Sequence, residues 1–355
     1  MLAFIKYKNS DYSTALRLVY EAISIRKDID EFHAVKALIL SRINDRSEAQ
    51  TTEMFGSLIR LDSCYNLGGK CMMMIANAHI QLNNRAQAIK WLLSAENLLE
   101  NDENLLLGLA CQLRLSGDLA GSMSRYNRVL ALDPLNVKAT FWRDVLLNQD
   151  LKSIPHELTT KLFDSYACNF NDHLIQSLGY VTPALIADSV SKYDNSQQFD
   201  ICLDLGCGTG LFPNYYRNCK EYHGVDLSAN MLSEARKLNV YSLLANQDIS
   251  TFLASSSRYD QCLVVMCDVL GYIGDVDEVF RLIADKCRGS LVCFSVEALV
   301  DDTSDFKMQM SGRFAHSSEY IRRVLSQNRI SVKSESYHLL RHNCNGFVFI
   351  SMTDC

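Results

Sequence analysis

Residues that interrupt regular secondary structure are scarce in this chain of 355 residues, which contains only 4 prolines and 16 glycines. Apolar residues make up 48% of the sequence. Because such a composition supports extensive buried cores, it excludes a disordered protein. The length allows two domains, each with a core of its own.

The chain also lacks any patterned cysteine pair. Its 13 cysteines are scattered, and no two of them are spaced as Cys-x-x-Cys. This odd, unpatterned number excludes a disulfide framework and a zinc ribbon, and we expect no metal site. Reduced thiols are typical of the cytoplasm, which is the location we expect for this protein.

Long apolar runs and basic runs are missing as well. No stretch of ~18 apolar residues is present, so we expect no membrane span, and the segment Met1–Lys8 lacks the apolar core of a signal peptide. The net charge is −6, and residues 1–150 carry 17 basic and 17 acidic side chains. Since nucleic-acid binding needs a basic face, we do not expect a nucleic-acid partner.

The most informative stretch begins at residue 200 and reads Asp-Ile-Cys-Leu-Asp-Leu-Gly-Cys-Gly-Thr-Gly-Leu-Phe. The apolar residues 201–203 predict a buried parallel strand, and Asp204 follows them directly. Three alternating glycines come next: Gly206, Gly208 and Gly210. We expect a helix to begin within residues 211–219. A strand, a glycine turn and a helix N-terminus together are typical of a nucleotide-binding corner.

The spacing of the glycines separates the possible cofactors. A dinucleotide site has the pattern Gly-x-Gly-x-x-Gly, and the position of its third glycine is Leu211 in this chain. No Gly-Lys-Ser/Thr sequence of a P-loop is present either. The spacing therefore disfavours a nicotinamide oxidoreductase, whereas an ordinary tight turn remains the simplest alternative for the glycines alone.

The features that follow along the chain come in the order expected of a nucleotide-binding domain. Residues 223–226 predict a second strand that ends in Asp226, 22 positions after Asp204. A carboxylate at the tip of a second strand is placed to meet ribose hydroxyls. Ser228 is a suitable N-cap for the next helix. Residues 259–268 and 289–297 predict a fourth and a fifth apolar strand.

The pattern from Asp204 to Gly210 resembles motif I of class I S-adenosylmethionine-dependent methyltransferases. The resemblance implies an α/β Rossmann-like domain with a seven-stranded, mostly parallel sheet whose last strand is antiparallel. It implies S-adenosylmethionine as cofactor, with Asp248 at the adenine amino group and Ile249 or Leu227 flanking the base. The cofactor-binding residues that it implies are Asp204, Gly206, Cys207, Gly208, Gly210, Asp226, Leu227, Met231, Asp248, Ile249 and Cys267.

The first 150 residues contain one pattern four times. Small residues recur at steps of 34, 39 and 34 positions, at Ala15, Ala49, Ala88 and Ser122. A second set lies twelve positions earlier in each unit, at Ala3, Ala37, Ala76 and Ala110. The pattern resembles the tetratricopeptide repeat, a helix pair with a period of about 34 residues. We therefore predict an all-α array over residues 1–150, closed by a helix over residues 137–148, with turns at 44–45, 83–84 and 117–118.

Residues 151–195 predict a helical linker that folds over the cofactor, and residues 196–355 form the methyltransferase domain. Together with the array, residues 163–183 and 311–317 resemble predicted tetratricopeptide-containing methyltransferases of bacteria. The resemblance implies a protein or peptide partner, such as a carrier protein, bound by the array.

Candidate acceptor residues come from three segments. Asp268 and Tyr272 follow the fourth strand, so we expect them beside the transferred methyl group. Residues 298–316 read as a long polar loop, which suggests a lid. Candidate general bases are Tyr166, Asp268 and His316; candidate substrate contacts are His173, Tyr272, Arg313 and Tyr320. Structural roles remain open for three of them: a core aromatic for Tyr166, a structural imidazole for His173 and a salt bridge for Arg313.

Two functions are compatible with these features. The first is a cytoplasmic methyltransferase whose array presents a small metabolite, an acyl group on a carrier, or a protein for O- or N-methylation. The second is a non-enzymatic adaptor that keeps the methyltransferase fold as a scaffold. The intact glycines and the acids Asp204, Asp226 and Asp248 favour the enzyme.

Overall fold

The structure is a computed structural model. It describes residues 2–43, 50, 53–54, 56–57, 60–61, 67–147, 151–167, 179–193, 198–300 and 303–355, without the side chains of 165 and 166. The chain divides into two compact units, residues 1–148 and 149–355. No helix in the described ranges is long and apolar enough to cross a membrane.

The first unit contains helices and no strand in its described residues. The helices with described bounds are α1 (Leu2–Lys8), α2 (Tyr12–Ile25), α3 (Asp30–Ser41), α4 (Gly69–Gln81), α5 (Arg85–Glu96), α6 (Glu103–Ser116), α7 (Leu119–Leu132) and α8 (Val137–Leu146). Five of them begin at an Asp or Asn whose side chain accepts a hydrogen bond from the backbone three residues on: Asp11, Asn84, Asp102, Asp118 and Asn136. These caps fix where each helix starts.

Small residues lie where the helices of this unit pack most closely. Six of the eight repeat positions have no exposed surface: Ala15, Ala37, Ala76, Ala88, Ala110 and Ser122. The Ser122 hydroxyl donates a hydrogen bond to the Ala110 carbonyl, at 2.8 Å, which joins α7 to α6. Ala3 is partly exposed, and Ala49 lies outside the described residues. The tetratricopeptide assignment itself stays a prediction.

Two of the three predicted turns separate helices at the expected places. Asn83, with φ of 56°, stands between α4 and α5, and Gly117, with φ of 91°, stands between α6 and α7. Both backbones are left-handed, a conformation that favours Gly and Asn. The third turn, at residues 44–45, lies outside the described residues.

The second unit contains six described α-helices and a mixed sheet. The helices are α9 (His156–Tyr166), α10 (Thr182–Tyr193), α11 (Ala229–Lys237), α12 (Ile249–Ser255), α13 (Asp277–Lys286) and α14 (Ser318–Gln327). The strands are β1 (Phe199–Leu205), β2 (Cys219–Asp226), β3 (Tyr241–Asn246), β4 (Leu263–Met266), β5 (Leu291–Ala298), β6 (Phe306–Met308), β7 (Phe314–His316), β8 (Ile330–Arg341) and β9 (Cys344–Thr353).

The sheet has the strand order β3-β2-β1-β4-β5-β7-β6, and β9 also pairs with β5 and β8. Strands β1 to β5 pair in parallel, while β9 runs antiparallel to both of its neighbours. The Rossmann-like fold and the antiparallel ending are confirmed. The expected seven strands and the loop over 298–316 are wrong, because β6 and β7 form a hairpin there and β7 pairs with β5. The described sheet therefore has nine strands.

The central strands of the sheet are buried on both faces. Alternate residues of β1 and β4 enter two different cores, with Leu203 and Val264 on one face and Cys202 and Val265 on the other. This two-sided burial explains why the strands read as continuous apolar runs rather than as alternating patterns.

One predicted element is absent. Residues 206–218, all of them described, contain no α-helix and only a 3₁₀ turn at Phe212–Asn214. Pro213 lies inside that turn, and β2 begins at Cys219, only five residues after the turn ends. The expected helix directly after the glycines is therefore wrong.

Candidate active site

A cavity of about 410 Å³ opens in the second unit at the carboxyl ends of β1 to β4, within the usual size range of small-molecule sites. Helix α9 and the segments after these strands supply most of its lining. This edge is where open parallel sheets bind ligands, because the loops diverge there.

The glycine turn is tied to the end of β2 by its backbone. The N–H groups of Gly206 and Cys207 donate to the Val225 carbonyl, at 2.7 and 3.0 Å, and Gly208 N–H donates to the Asp226 carboxylate, at 2.8 Å. Gly206 has φ of 76°, and a Cβ there would lie 2.4 Å from the Val269 side chain. This position therefore requires glycine both for its backbone conformation and for space.

Asp226 sits at the centre of this corner. Its carboxylate accepts hydrogen bonds from Gly208 and from the N–H of Ser228, the latter at 2.9 Å. Burial raises the pKa of Asp226, and the charge of Asp164 adds to the rise while the backbone donors oppose it. Ser228 caps α11, as expected, and its hydroxyl also donates to Asp164 on α9. The cap residue thereby holds α9 beside Asp226.

Asp204 lies beneath the glycine turn with 1% of its surface exposed. The Tyr241 hydroxyl donates to its carboxylate at 2.7 Å. Burial raises the pKa of Asp204 to about 7; the Tyr241 hydrogen bond lowers it, and the charge of Asp226 raises it further. A carboxyl group with this pKa exchanges its proton close to neutral pH.

Asp248 follows β3 and caps α12 by accepting the Thr251 N–H at 2.9 Å. Burial alone would raise the pKa of Asp248, but the Thr251 hydrogen bonds and the nearby His156 hold it below its usual value. Leu227 and Ile249 line the same cavity as Asp248. A carboxylate together with aliphatic side chains suits a flat base with an exocyclic amino group.

The other end of the cavity holds four charged side chains. Arg313 donates to the Asp268 carboxylate, at 2.7 Å, and to Glu297, and Arg341 donates to both oxygens of Asp268, at 3.0 and 2.9 Å, and to Glu297, at 2.5 Å. All four side chains are between 10% and 15% exposed. Two cations and two anions thus form a closed, neutral group, which we call the charge network.

The surroundings hold this network in place. Asp268 has φ of 62°, and its carbonyl also accepts a hydrogen bond from Arg313, at 3.1 Å. Burial alone would raise the pKa of Glu297, but the two guanidinium groups hold it below its usual value. The Arg313 guanidinium lies 4.5 Å from the centre of the Tyr272 ring, which packs edge-on against Phe163 of α9. The network is therefore fixed from the sheet side and from the aromatic side.

Most of the residues expected from the sequence line this cavity. They are Asp204, Gly206, Cys207, Gly208, Asp226, Leu227, Asp248, Ile249, Cys267, Asp268, Tyr272 and Arg313. Gly210 and Met231 lie just behind the lining. Gly210, with φ of 82°, packs its Cα against Tyr241 and Leu238, and the Met231 side chain is fully buried under α11. These two residues shape the corner from behind.

Two predicted polar residues lie away from the cavity. His316 is fully buried in β7, and its Nε2 lies 2.9 and 3.0 Å from the carbonyls of Ile273 and Gly274. Burial lowers the pKa of His316 to about 4, so it is neutral at pH 7. The Tyr320 hydroxyl accepts the Val276 N–H at 3.0 Å. Both side chains fasten the segment after β4 to the rest of the unit and do not line the site.

The remaining two candidates fall on less described parts of the chain. Tyr166 ends α9, and its side chain is outside the described atoms. His173 lies outside the described residues.

Sequence reasoning missed several lining residues, chiefly Arg341, Tyr180, Phe163 and His156, and it missed Glu297 behind Arg313. A lone acid at the end of the apolar strand β5 was a signal for Glu297, because buried charges need partners. Arg341 gave no local signal. It reaches Asp268, 73 residues away, only because β8 pairs with β9 and β9 pairs with β5.

Comparison with known proteins agrees with this geometry. A family model described as "Methyltransferase domain" matches residues 203–289, which run from the glycine turn to the start of β5. The chain contains a methyltransferase domain. Its prediction from the sequence is thus confirmed, while the acceptor and the role of the array are not addressed by this match.

Individual relatives are more distant. The malonyl-[acyl-carrier protein] O-methyltransferase of Enterobacter lignolyticus is 32% identical over 102 residues, which are 27% of this chain and 40% of that protein. The magnesium protoporphyrin IX methyltransferase of Synechocystis PCC 6803, solved with bound S-adenosylmethionine, is 16% identical with a TM-score of 0.45, over 56% of this chain and 97% of that one.

A third similar protein is the 1,6-didemethyltoxoflavin-N1-methyltransferase of Burkholderia thailandensis, solved with its substrate and S-adenosylhomocysteine. It is 14% identical with a TM-score of 0.44, over 57% of this chain and 91% of that one. The chain spans about two fifths of the length of the Enterobacter lignolyticus relative, so no substrate follows from any of the three.

Proposed function

We propose that this protein transfers a methyl group from S-adenosylmethionine to an acceptor that lies beside the charge network. The observation that carries the proposal is the glycine corner, in which the half-buried Asp226 carboxylate anchors the turn and lines the cavity. The match of residues 203–289 to the methyltransferase-domain family supports the same conclusion.

The residues of the cavity fit this cofactor. Gly206 and Gly208 leave the backbone of the turn bare, so that a ligand can approach it closely. Asp226 stands at the tip of β2, where it can accept hydrogen bonds from ribose hydroxyls. Asp248, which lines the cavity together with Leu227 and Ile249, suits an adenine amino group. Acidic side chains dominate this end of the cavity, which favours a cofactor with a net positive charge.

The cofactor supplies an electrophilic methyl group on a sulfonium. The protein's part is to align this group with the acceptor and to keep water out, because in-line transfer depends on orientation. Phe163, Tyr272 and Tyr180 close the cavity at the network end with aromatic surface. Alignment of two reactants is worth up to ~7–11 kcal/mol of the barrier in favourable cases.

Calorimetric titration tests the cofactor assignment. We expect S-adenosylmethionine and S-adenosylhomocysteine to bind with one site per chain, and we expect NADH and ATP not to compete. Mass spectrometry of the freshly purified protein, released by acid, should show retained S-adenosyl cofactor. Binding of NADH with exclusion of S-adenosylmethionine contradicts the proposal.

We further propose that the helical unit presents the acceptor. The support is its repeated pattern of small residues, which is typical of arrays that bind peptides or proteins on an extended surface. The second unit has two hydrophobic cores of its own, so residues 149–355 should remain folded when expressed alone.

Removal of residues 1–148 tests this role. We expect the affinity for S-adenosylmethionine to stay the same, since every lining residue belongs to the second unit. Methylation of the natural acceptor in cell extract, followed with labelled cofactor, should fall at least tenfold. An unchanged rate rejects a presenting role and leaves the cofactor assignment intact.

A further inference from the structure

The positive charges of the cavity are concentrated at one end. Among the described lining residues the acids are Asp204, Asp226, Asp248 and Asp268, whereas the guanidinium groups of Arg313 and Arg341 both contact Asp268. The glycine corner thus offers carboxylates to a cationic cofactor, and only the network end offers fixed cations.

Arg313 binds carboxylates through two of its three guanidinium nitrogens. Its Nε is bound to Glu297 and its Nη2 to Asp268, while its Nη1 donates no hydrogen bond to a carboxylate of the described residues. Neighbouring carboxylates hold the pKa of Arg313 well above its usual value although burial opposes this, so the group stays charged. A guanidinium held on one side by acids presents its remaining N–H groups in a fixed direction, which suits an incoming carboxylate.

The network end has no described group ready to remove a proton. Asp268 accepts hydrogen bonds from both arginines, and burial raises the pKa of Tyr180 and of Tyr272. The lining imidazole, His156, acts on Asp248 after β3. Asp248 follows β3, and Asp268 follows β4. These two strands are three positions apart in the sheet, which corresponds to about 14 Å at ~4.8 Å per strand. A hydroxyl or amine acceptor needs a positioned base, whereas a carboxylate needs none.

From these observations we infer that the acceptor is a carboxylate, held by Arg313 and methylated on oxygen. The inference rests on the proposed methyl transfer and specifies its substrate class. One carboxylate oxygen attacks the methyl carbon, the carbon–sulfur bond breaks, and its electron pair goes to sulfur. The products are a methyl ester and S-adenosylhomocysteine, and no proton is moved. Arg313 holds the second oxygen, so that a lone pair of the first oxygen points along the cavity.

A labelled-methyl assay on the full-length protein tests the inference. One pool contains aliphatic and aromatic mono- and dicarboxylic acids, and the other contains the matched amides, amines, alcohols and phenols. We expect label only in the acid pool, and at least nine tenths of it should be released as volatile methanol by mild alkali, which is the signature of a methyl ester. Base-stable label, or label in the other pool, overturns the inference and leaves methyl transfer standing.

A second measurement keeps the two proposals apart. If S-adenosylmethionine binds but neither pool is labelled, the carboxylate inference fails and cofactor binding stands. If S-adenosylmethionine does not bind, the proposed function fails first. In the wild-type protein saturated with S-adenosylhomocysteine, hexanoate should bind at least tenfold more tightly than hexanamide, whose shape is the same. Equal affinities also overturn the inference.

The cofactor's own carboxylate is the competing occupant of Arg313, and Arg313→Lys distinguishes the two. This variant keeps the positive charge but loses the planar, bidentate guanidinium group. Its matched control is Arg323→Lys, on the exposed face of α14. We expect Arg313→Lys to bind S-adenosylhomocysteine like the wild type and to lose most of the preference for hexanoate. A weaker affinity for S-adenosylhomocysteine with an unchanged affinity for 5′-methylthioadenosine, which lacks the amino acid, assigns Arg313 to the cofactor and overturns the inference.

Discussion

The two ends of the cavity are built in different ways. The glycine corner is made largely of backbone N–H groups and of acids that lie within 45 residues of one another, from Asp204 to Asp248. The charge network joins side chains from four segments, at positions 268, 297, 313 and 341. The first arrangement is local and can be read from a motif. The second is set by strand pairing, and its stability depends on a complete set of partners.

The largest effect should come from breaking the charge network. Arg341→Leu leaves Asp268 and Glu297 with one guanidinium between them, and we expect a loss of about 3–5 kcal/mol in the free energy of unfolding. Urea denaturation measures it. The control, Arg323→Leu, breaks a pair with Asp305 in which both side chains are about half exposed, and it should cost less than about 1 kcal/mol. Equal losses would mean that the network is no more than a set of surface pairs.

The next effect concerns the glycine corner. Asp226→Ala removes the acceptor of two backbone N–H groups and of the proposed ribose contacts. We expect the affinity for S-adenosylmethionine to fall about 100-fold, or about 2.8 kcal/mol at 1.4 kcal/mol per tenfold change. Calorimetry measures it. Asp200→Ala changes an exposed acid of β1, which pairs with Lys220 at the surface, and should leave the affinity as it is.

Substitutions at two glycines, Gly206 and Gly289, test how strict the local requirements of the glycine corner are. Gly206→Ala adds a strained backbone and a clash with Val269, and we expect it to cost about 1–3 kcal/mol of stability and to weaken cofactor binding. Gly289→Ala has a similar φ of 61°, but its Cβ would meet its nearest neighbours at an ordinary 3.6 Å. Thermal unfolding of both variants separates strain from contact. If Gly289→Ala lowers the stability as much as Gly206→Ala does, the clash with Val269 adds nothing to the loss.

The smallest effect is a pH dependence. The pKa of Asp204 is about 7 in the folded protein, above its usual value of 3.8, so the folded protein favours the protonated carboxyl group. The stability that this group contributes is therefore lost as the pH rises through 7. A cationic cofactor favours the ionised form. We therefore expect the affinity for S-adenosylmethionine to rise by up to tenfold per pH unit below 7 and to level off above it. Asp204→Asn should flatten this profile; an unchanged slope assigns it to another group.

The sequence was sufficient for the glycine corner because its requirements are local. A left-handed φ at Gly206, an acid at the tip of β2 and a cap at Ser228 each depend on a few neighbouring residues. It was insufficient for the network because the partner of Asp268 is decided by the register of β8, β9 and β5. His316 was misplaced for the same reason: a polar residue in an apparent loop is buried once β7 pairs with β5.

The helix expected after the glycines shows a different limit. Residues 211–219 contain apolar and aromatic side chains that would suit an amphipathic helix, but Pro213 and the early start of β2 leave only one 3₁₀ turn. Propensity over such a short segment is a weak guide when strand pairing on either side fixes its ends. The corner therefore depends on Asp226 and the glycine backbone, without a helix that follows the glycines directly.

The position of β8 has a consequence for how the protein is made. A ribosome releases the glycine turn 135 residues before Arg341, counting from Gly206. Strands β1 to β4 can therefore pair in the nascent chain before Arg341 is made. At that stage Arg313 is the one guanidinium group of the charge network that can bind Asp268 and Glu297. The charge network is completed by one of the last strands to emerge, so a chain stalled before β8 would hold Asp268 and Glu297 without the guanidinium group of Arg341.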